Sequence, residues 1–353
     1  MLVVGCGGIG GVLSTLLVRA GVEVSIATTN DAIRAAWEGH GSRLDGKPGA
    51  PPLPPERVVR RAAELTELQD VVLVAVQPPQ VDEVADGLLA HLSPSARVVC
   101  LSNGLCEDRL AAHLGSEHVV GAVVAWGARM LGPGDYVRTS AGGFRVGTLT
   151  GAPDPQLHVV QELLGRVGPA TITRNLRGAR YTKLAINCAV STLGTIGGST
   201  VGELLVHSHV RALALDILAE AVRVARAEGV QLEPVAGFDL AWLVPEPGAS
   251  QGALRGAARH ALLMALGARY RHLRSSMLAA IERGRDPAVD FLNGEIVERG
   301  RALGVPTPVN AAARDIVWEI ARGQRSSGPG ALRRLREVAG GLAGSSAPAS
   351  QRV

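Results

Sequence analysis

The chain opens on the run Leu2-Val3-Val4-Gly5-Cys6-Gly7-Gly8-Ile9-Gly10, a short apolar strand pattern that leads directly into a G-x-G-x-x-G loop. A stretch with apolar residues at helical spacing follows, and residues 22–26 form a second strand pattern. In this setting Gly5 permits a tight turn, Gly7 lets the backbone approach a pyrophosphate, and Gly10 lets helix and strand pack closely. The run therefore predicts a β-α-β unit that binds a dinucleotide at the start of its first helix.

Further strand patterns recur through the first half, at residues 71–76 and 98–101, with helical patterns between them. Short apolar strands joined by crossovers are typical of a parallel sheet covered on both faces. Residues 119–149 look like antiparallel strands that finish this sheet. After Gly178, long Ala/Leu/Arg-rich helical stretches continue to about Ile320. We therefore expect an α/β domain followed by an all-helical domain.

The composition fits a two-domain globular enzyme, since 353 residues exceed the usual size of one domain. Hydrophobic residues make up 46% and charged residues 19%, which excludes a disordered chain. Aromatic residues are only 3%, which argues against nucleic-acid binding by base stacking. The net charge of +4 comes from scattered basic residues, a pattern that favours small anionic ligands over duplex DNA.

Location and metal content follow from what the sequence lacks. Residues 1–5 leave no room for a signal peptide, and no apolar stretch reaches ~18 residues, so we expect a cytoplasmic protein without a membrane segment. The four cysteines show no C-x-x-C spacing, which indicates reduced thiols. His207 and His209 have no third ligand at metal spacing. They are expected in a loop between helices, and no metal is expected.

The residues after the second strand bear on cofactor choice. An NAD-selective site places an acid there to bind the ribose 2′-hydroxyl. This chain has Thr28 and Thr29, with no carboxylate before Asp31, and Arg34 follows one helical turn later. The pattern favours NADP(H).

Lys183 and Asn187 lie four residues apart in an otherwise apolar stretch. On a helix this spacing places both side chains on one face. A helical lysine is most often a solvated surface residue. A desolvated ammonium at the entrance of the second domain would instead protonate a carbonyl oxygen.

Separated motifs along the chain resemble the ketopantoate reductase family of NADPH-dependent 2-oxoacid reductases. The match spans about residues 1–322 and rests on Gly5/Gly7/Gly10; Ser102-Asn103-Gly104-Leu105; Lys183-Leu184-x-x-Asn187; Ser275-Ser276-Met277-Leu278-x-x-Ile281; Asp290-x-x-Asn293-Gly294; and Gly304-Val305-Pro306-Thr307-Pro308-Val309-Asn310. The resemblance implies a Rossmann NADP-binding domain at residues 1–172 and a helical substrate and dimerisation domain at 173–324. It also implies an active cleft between them. Residues 325–353 are rich in Gly, Ser, Ala and Arg, a composition that predicts a flexible tail.

The resemblance also implies roles for single residues. Lys183 would be the general acid, and the substrate-binding groups would be Asn103, Asn187, Ser191 and Ser276. Cofactor-binding positions would be Gly5, Gly7, Gly8, Ile9, Gly10, Thr28, Thr29, Gln77, Gln80 and Asn103. The flanking motif favours the substrate role of Ser276 over a simple helix N-cap.

The chain departs from the family pattern at four positions. Thr29 replaces an arginine, Gln77 a lysine and Ser191 an asparagine. Ala288 replaces an acid that, in the family, is understood to bind the substrate hydroxyl. Loss of the arginine and the lysine should weaken electrostatic binding of the NADP phosphate and of the substrate side of the cleft. Loss of the acid affects which substrate the site accepts.

We therefore predict a reductase that acts on a 2-oxoacid with NADPH, in the manner of conversion of 2-dehydropantoate to pantoate. Two alternatives remain open at this point. The chain could be a family reductase for a different carbonyl compound of a specialised pathway, or a non-catalytic NADP(H)-binding sensor. The partner is expected to be a small molecule rather than nucleic acid or membrane, and a homodimer is left open.

Overall fold

The computed structural model describes residues 1–235, 237, 239–244, 253–269 and 271–345. It divides into two compact units, Met1–Arg180 and Tyr181–Val353, and the division falls inside one long helix, Leu176–Gly197. None of the helices in the described ranges is long and apolar enough to cross a membrane.

The first unit is built on twelve strands and five helices, and it also contains the start of a sixth helix. The strands are β1 Leu2–Val4, β2 Ser25–Ala27, β3 Arg43–Leu44, β4 Lys47–Pro48, β5 Val58–Val59, β6 Gln69–Val74, β7 Leu92–Cys100, β8 Val119–Val124, β9 Ala128–Gly132, β10 Asp135–Arg138, β11 Phe144–Thr148 and β12 Ala170–Ile172. The helices are α1 Gly8–Arg19, α2 Asp31–Gly39, α3 Val81–Asp86, α4 Cys106–Leu114, α5 Gln156–Gly165 and α6 Leu176–Gly197.

Eight strands form one sheet in the order β12-β11-β8-β7-β6-β1-β2-β5. Strands β5, β2, β1, β6, β7 and β8 are mutually parallel, and in chain order within this sheet they read 3-2-1-4-5-6. This is the strand order of a Rossmann fold. β11 joins antiparallel to β8, and β12 runs parallel to β11. The predicted α/β fold is confirmed.

The sheet is buried on both faces, which explains its continuous apolar strands. Side chains of β1 alternate between two cores: Val3 packs with α1 residues Leu13 and Leu17, whereas Leu2 and Val4 pack in the opposite cluster. Crossover helices on both sides of a parallel sheet require this two-sided burial. The apolar runs therefore mark strands rather than helices.

Not all of the strands at residues 119–149 finish the main sheet. β11 does so as an antiparallel strand, and β8 belongs to the main sheet but runs parallel to β7, so the antiparallel prediction is wrong for β8. β9 and β10 pair with each other and, through β3 and β4, form a separate four-stranded sheet. The separate sheet packs beside α1.

α-Helices dominate the described residues of the second unit, joined by loops and one 3₁₀ helix, Ala288–Phe291. After α6 its helices are α7 Val201–Leu205, α8 Ser208–Ala227, α9 Leu240–Leu243, α10 Ala253–Arg269, α11 Ser276–Ile281, α12 Asn293–Leu303, α13 Pro308–Ala321 and α14 Pro329–Ser345. His207 is the N-cap position of α8, and His209 lies in its first turn. The expectation of a loop at this histidine pair is therefore wrong for His209.

The expected flexible tail is also wrong over Pro329–Ser345. These residues form α14, which packs against α8 and α13 and buries Ala331, Leu332 and Leu335. Apolar residues about one helical turn apart supply a packing face that the high Gly, Ser and Arg content obscured. Residues 346–353 lie outside the described part of the chain.

A buried polar network joins four helices of this unit. Both oxygens of the Glu220 carboxylate accept hydrogen bonds at the start of α13, from the backbone N–H of Val309 at 2.9 Å and of Asn310 at 2.8 Å. The Asn310 side chain also donates to Glu220, and its oxygen accepts from Asn293 at 2.9 Å. Thr192 of α6 donates to Asn293. The motifs that contain Asn293 and Asn310 thus contribute to packing here, because their side chains satisfy the hydrogen bonds of buried polar groups.

Removal of this carboxylate should be costly, because Glu220→Ala leaves three buried donors without their acceptor. We expect a loss on the order of 3 kcal/mol in the free energy of unfolding, and a smaller loss for Glu220→Gln, which keeps one acceptor oxygen. Urea titrations of both variants would measure it. Glu337→Ala, at an exposed side chain, is the control and should change stability by under about 0.5 kcal/mol. Equal stability of Glu220→Ala and the control would contradict this account.

Candidate dinucleotide site and lysine-bearing helix

Four groups of predicted residues in the first unit lie at one edge of the main sheet. The glycine loop follows β1, Thr28 and Thr29 follow β2, Gln77 and Gln80 follow β6, and Asn103 follows β7. These strands are parallel and adjacent, so their carboxyl ends meet at the same edge. β1 and β6 flank the point where the strand order reverses, where such sheets bind ligands.

Two glycines of the loop are required by its packing. Gly5 has a φ of +91°, in the left-handed region. A Cβ on Gly10 would lie 1.8 Å from the Gly5 carbonyl oxygen. No side chain can fit at Gly10, because α1 begins directly against the turn.

The start of α1 leaves room for an anionic ligand. Gly7 is the N-cap residue and is exposed, and a Cβ there would meet nothing within 4 Å. Gly8 and Ile9 are half-buried beside it, and the first turn of α1 holds no acidic residue. Uncapped N–H groups at an open helix start attract phosphate. The loop therefore fits the pyrophosphate of a dinucleotide.

Tyr136 of β10 supports the loop from behind, a role that the sequence did not reveal. Its hydroxyl donates to the Cys6 carbonyl oxygen at 3.2 Å and accepts from Trp37 Nε1 at 3.1 Å. A Cβ on Gly11 would collide with the Tyr136 ring. Burial raises the pKa of the Cys6 thiol to about 12, which makes this cysteine unreactive.

The end of β2 gathers more positive charge than the sequence indicated. Asp31 pairs with Arg34 at 2.5 Å and with Arg60 at 3.0 Å. The Arg34 hydrogen bond and the charge of Arg60 hold the pKa of Asp31 below its usual range. Arg60 follows β5, which pairs with β2, and strand pairing alone brings it here. Thr28 is buried and Thr29 exposed beside these charges.

After β6, Gln77 is the N-cap of a 3₁₀ turn, Pro78–Gln80, and Gln80 is the last residue of that turn. The Gln80 side-chain oxygen accepts from the Gln77 backbone N–H at 3.3 Å. Both residues are exposed at the sheet edge. Their mutual capping fixes the shape of the turn.

The loop that carries Asn103 is held by a buried charge. Arg180 in α6 is fully buried, and it donates to the carbonyl oxygens of Cys100 at 2.6 Å and Ser102 at 2.9 Å. It also pairs with buried Glu107, whose pKa is raised by burial. Asn103 itself is exposed. Arg180 is therefore a positioning residue for this loop, and the sequence reasoning missed it.

Helix α6 presents one half-exposed face in the second unit. The residues on this face are Lys183, Ile186, Asn187, Val190 and Ser191. Their spacing of three and four residues makes them one continuous stripe over two turns. The other residues between Tyr181 and Gly197 are buried. The structure thus brings three predicted site residues, Lys183, Asn187 and Ser191, onto one face.

Ser276 begins α11 close to this stripe. The N-cap of α11 is its neighbour Ser275, whose hydroxyl accepts from the Leu278 N–H. The same hydroxyl lies 2.8 Å from the Ser191 carbonyl oxygen, which anchors the start of α11 to α6. Capping therefore falls to Ser275, and Ser276 is exposed.

The use of lysine is itself a signal that the sequence reasoning passed over. The chain contains 36 Lys plus Arg, yet only Lys47 and Lys183 are lysines. A guanidinium stays protonated in proteins, whereas a lysine ammonium can give up its proton. A lysine at position 183 is therefore what proton transfer requires.

A Rossmann sheet with an open glycine loop, followed by a helical unit with a lysine on a half-exposed face, defines a dinucleotide-dependent oxidoreductase. The chain matches "Ketopantoate reductase PanE/ApbA" over residues 1–151 and "Ketopantoate reductase PanE/ApbA C terminal" over residues 175–321. It belongs to the ketopantoate reductase family, whose members are nicotinamide-dependent and act on CH–OH groups.

Individual relatives agree with this assignment. A 2-dehydropantoate 2-reductase of Archaeoglobus fulgidus is 26% identical over 323 residues, covering 91% of this chain and 97% of that protein. A PanE/ApbA family ketopantoate reductase structure from Ralstonia eutropha JMP134 is 27% identical, with a TM-score of 0.76, and the match covers 92% of this chain and 99% of that one. A D-mandelate dehydrogenase bound to NADH and anilino(oxo)acetate shares the fold, at 19% identity and a TM-score of 0.75, over 92% and 99% of the two chains.

Two glycine variants separate folding from ligand binding. Gly10→Ala forces a methyl group against the Gly5 carbonyl and should destabilise the protein by about 3 kcal/mol or more. Gly7→Ala meets open space, so it should fold normally, but its methyl group would keep a pyrophosphate from the backbone and weaken binding of a nicotinamide dinucleotide at least about tenfold. Thermal melts and NADPH fluorescence titrations measure the two effects. Undiminished affinity of Gly7→Ala would place the pyrophosphate elsewhere.

Proposed function

We propose that the protein reduces the ketone of a 2-oxoacid with a reduced nicotinamide cofactor, as in conversion of 2-dehydropantoate to pantoate. The observation that carries the proposal is the α6 stripe, on which Lys183 and Asn187 lie one helical turn apart on the half-exposed face. The open start of α1 supplies the dinucleotide site that the reaction needs. A non-catalytic sensor would need the glycine loop but not this lysine.

The chain's own residues divide the work of the reduction. When bound, the cofactor supplies a hydride to the ketone carbon. The Lys183 ammonium donates a hydrogen bond to the ketone oxygen and transfers its proton there as negative charge develops. Solvent then returns a proton to Lys183. The product is the 2-hydroxyacid.

Polar side chains near Lys183 orient the substrate. The Asn187 amide lies one turn along the same face and can donate to the substrate carboxylate. We propose that Ser191 and Ser276 add hydroxyl donors, since the Ser275 contact with the Ser191 carbonyl anchors α11 beside them. Asn103, on the loop fixed by Arg180, would serve at the nicotinamide end. Fixed donors hold the ketone in a reactive geometry.

We further propose that the cofactor is NADP(H). Arg34 and Arg60 stand at the end of β2 with a single carboxylate, Asp31, between them. The two guanidinium groups can donate charge-assisted hydrogen bonds to a 2′-phosphate; a second carboxylate, Glu64, also lies here and accepts from the Arg60 backbone N–H at 3.0 Å. Arg60 can thus replace the arginine that the family has where Thr29 stands.

Substitution of Lys183 tests the catalytic assignment. Lys183→Ala should lower kcat by at least about 100-fold while NADPH still binds, because the proton donor is lost. Lys183→Arg should be nearly as poor, since a guanidinium keeps the charge but not the transferable proton. Lys47→Arg, at the exposed second lysine, is the matched control and should retain full turnover. Near-normal turnover of Lys183→Arg would show that only charge matters and would refute the general-acid role.

Cofactor preference is tested at Arg60. NADPH should bind more tightly than NADH, and Arg60→Ala should weaken NADPH by about tenfold while leaving NADH unchanged, because only NADPH carries the 2′-phosphate. Arg61→Ala is the neighbouring control, since Arg61 pairs with Glu83 instead. Parallel fluorescence titrations decide the matter. Tighter NADH binding by the unmodified protein would overturn the NADP(H) proposal.

A further inference from the structure

Tyr136 reaches the glycine loop from the interior of the first unit, and Gly11 makes room for it. The tyrosine on β10 is fully buried, and a Cβ on Gly11 would lie 2.0 Å from its ring. The turn and the helix packing of the motif account for Gly5, Gly7 and Gly10. The neighbouring glycine at position 11 is instead required by the tyrosine ring.

The Tyr136 hydroxyl has one proton, and its two partners decide where that proton points. The Trp37 indole N–H can only donate, and it donates to the Tyr136 oxygen at 3.1 Å. The Cys6 carbonyl oxygen, at 3.2 Å, can only accept. The hydroxyl proton is therefore directed at the carbonyl. Burial raises the pKa of the Tyr136 hydroxyl, which keeps the proton in place.

This hydrogen bond sets the orientation of the peptide group between Cys6 and Gly7. The described residues contain no cis peptide bond, and in a trans peptide the C=O and N–H point in opposite directions. Because the Cys6 C=O points inward to Tyr136, the Gly7 N–H points outward. Gly7 is exposed, and its N–H meets no acceptor in the described part of the chain. An outward N–H at the open start of α1 is a donor for the pyrophosphate of a dinucleotide.

Without the tyrosine hydroxyl, little would keep this peptide group from turning over. A flip changes ψ of Cys6 and φ of Gly7, and a glycine accepts a positive φ at no steric cost. After a flip, the Cys6 carbonyl oxygen would face the pyrophosphate and repel its negative charge. Among the described residues, no donor other than the Tyr136 hydroxyl holds that carbonyl oxygen.

We propose that Tyr136 is a positioning residue for the cofactor: its hydroxyl holds the Cys6–Gly7 peptide with the N–H toward the pyrophosphate, and so sets the affinity for a nicotinamide dinucleotide. The inference rests on the dinucleotide site of the proposed function and adds a residue from outside the glycine motif. It applies to NADPH and NADH alike, because both contain the pyrophosphate. The arginine at position 60 acts instead on the 2′-phosphate.

Tyr136→Phe removes the hydroxyl and keeps the ring. This variant should weaken the binding of NADPH and of NADH by the same factor, at least about tenfold, because a hydrogen bond to a charged group is lost. The ratio of the two dissociation constants should therefore stay at its value in the unmodified protein, whereas Arg60→Ala should change it. Fluorescence titrations with both cofactors measure the constants. Undiminished affinity in Tyr136→Phe, or a loss confined to NADPH, would overturn the proposal.

A control variant separates cofactor binding from stability. Tyr136→Phe leaves the Trp37 N–H and the Cys6 carbonyl without their partner, so it should also lower the melting temperature. Val146→Ala shortens a side chain of the same buried cluster on β11, which three strands separate from β1 in the main sheet. It should lower the melting temperature as well but leave both dissociation constants within about twofold. An equal loss of affinity in Val146→Ala would show that stability alone is responsible.

The outcomes also separate this inference from the proposed function. If the unmodified protein binds neither cofactor, the dinucleotide site of the proposed function fails. If it binds them and Tyr136→Phe binds them as tightly, the site stands and the role of Tyr136 fails. Should Tyr136→Phe not fold, the double variant Trp37→Phe/Tyr136→Phe gives the same comparison, because it leaves no indole N–H without an acceptor.

Discussion

The first unit depends on the contact between Gly10 and the Gly5 carbonyl, because that contact sets how closely α1 approaches β1. With the helix this close, its first N–H groups stand uncovered above the carboxyl edge of the sheet, and an open volume remains at Gly7. Tyr136 and Trp37 then hold the loop from the buried side. A side chain at Gly10 would push the helix away and remove the phosphate site together with the packing.

Helix α6 combines two tasks that need opposite environments. Near its start Arg180 is fully buried, and its charge is balanced by Glu107 and by two carbonyl oxygens, so that it fixes the loop after β7. Three residues later Lys183 is half-exposed, as its proposed contact with a substrate requires. An arginine suits the first position because it donates several hydrogen bonds at once, and a lysine suits the second because it can release a proton.

Local patterns in the sequence were enough to predict the Rossmann unit and the shared face of Lys183 and Asn187, because strand, turn and helix periodicity involve near neighbours in the chain. Tyr136, Arg60 and Arg180 were missed because pairing and packing between distant segments place them. The helix at Pro329–Ser345 was missed for a related reason. Its composition is that of a tail, and only burial of residues such as Leu335 against α8 and α13 stabilises it.

The stripe on α6 has a polar edge and an apolar edge. In the proposed reduction, Lys183 and Asn187 on the polar edge would meet the ketone and carboxylate groups that every 2-oxoacid possesses. The other edge of the stripe carries Ile186 and Val190, which are apolar and half-exposed. Ala288, an alanine where the family carries an acid, removes a polar partner and adds none. A hydroxylated substituent therefore needs a hydrogen-bond partner at a position other than 288, and substrate choice lies in that contact rather than in the reacting groups.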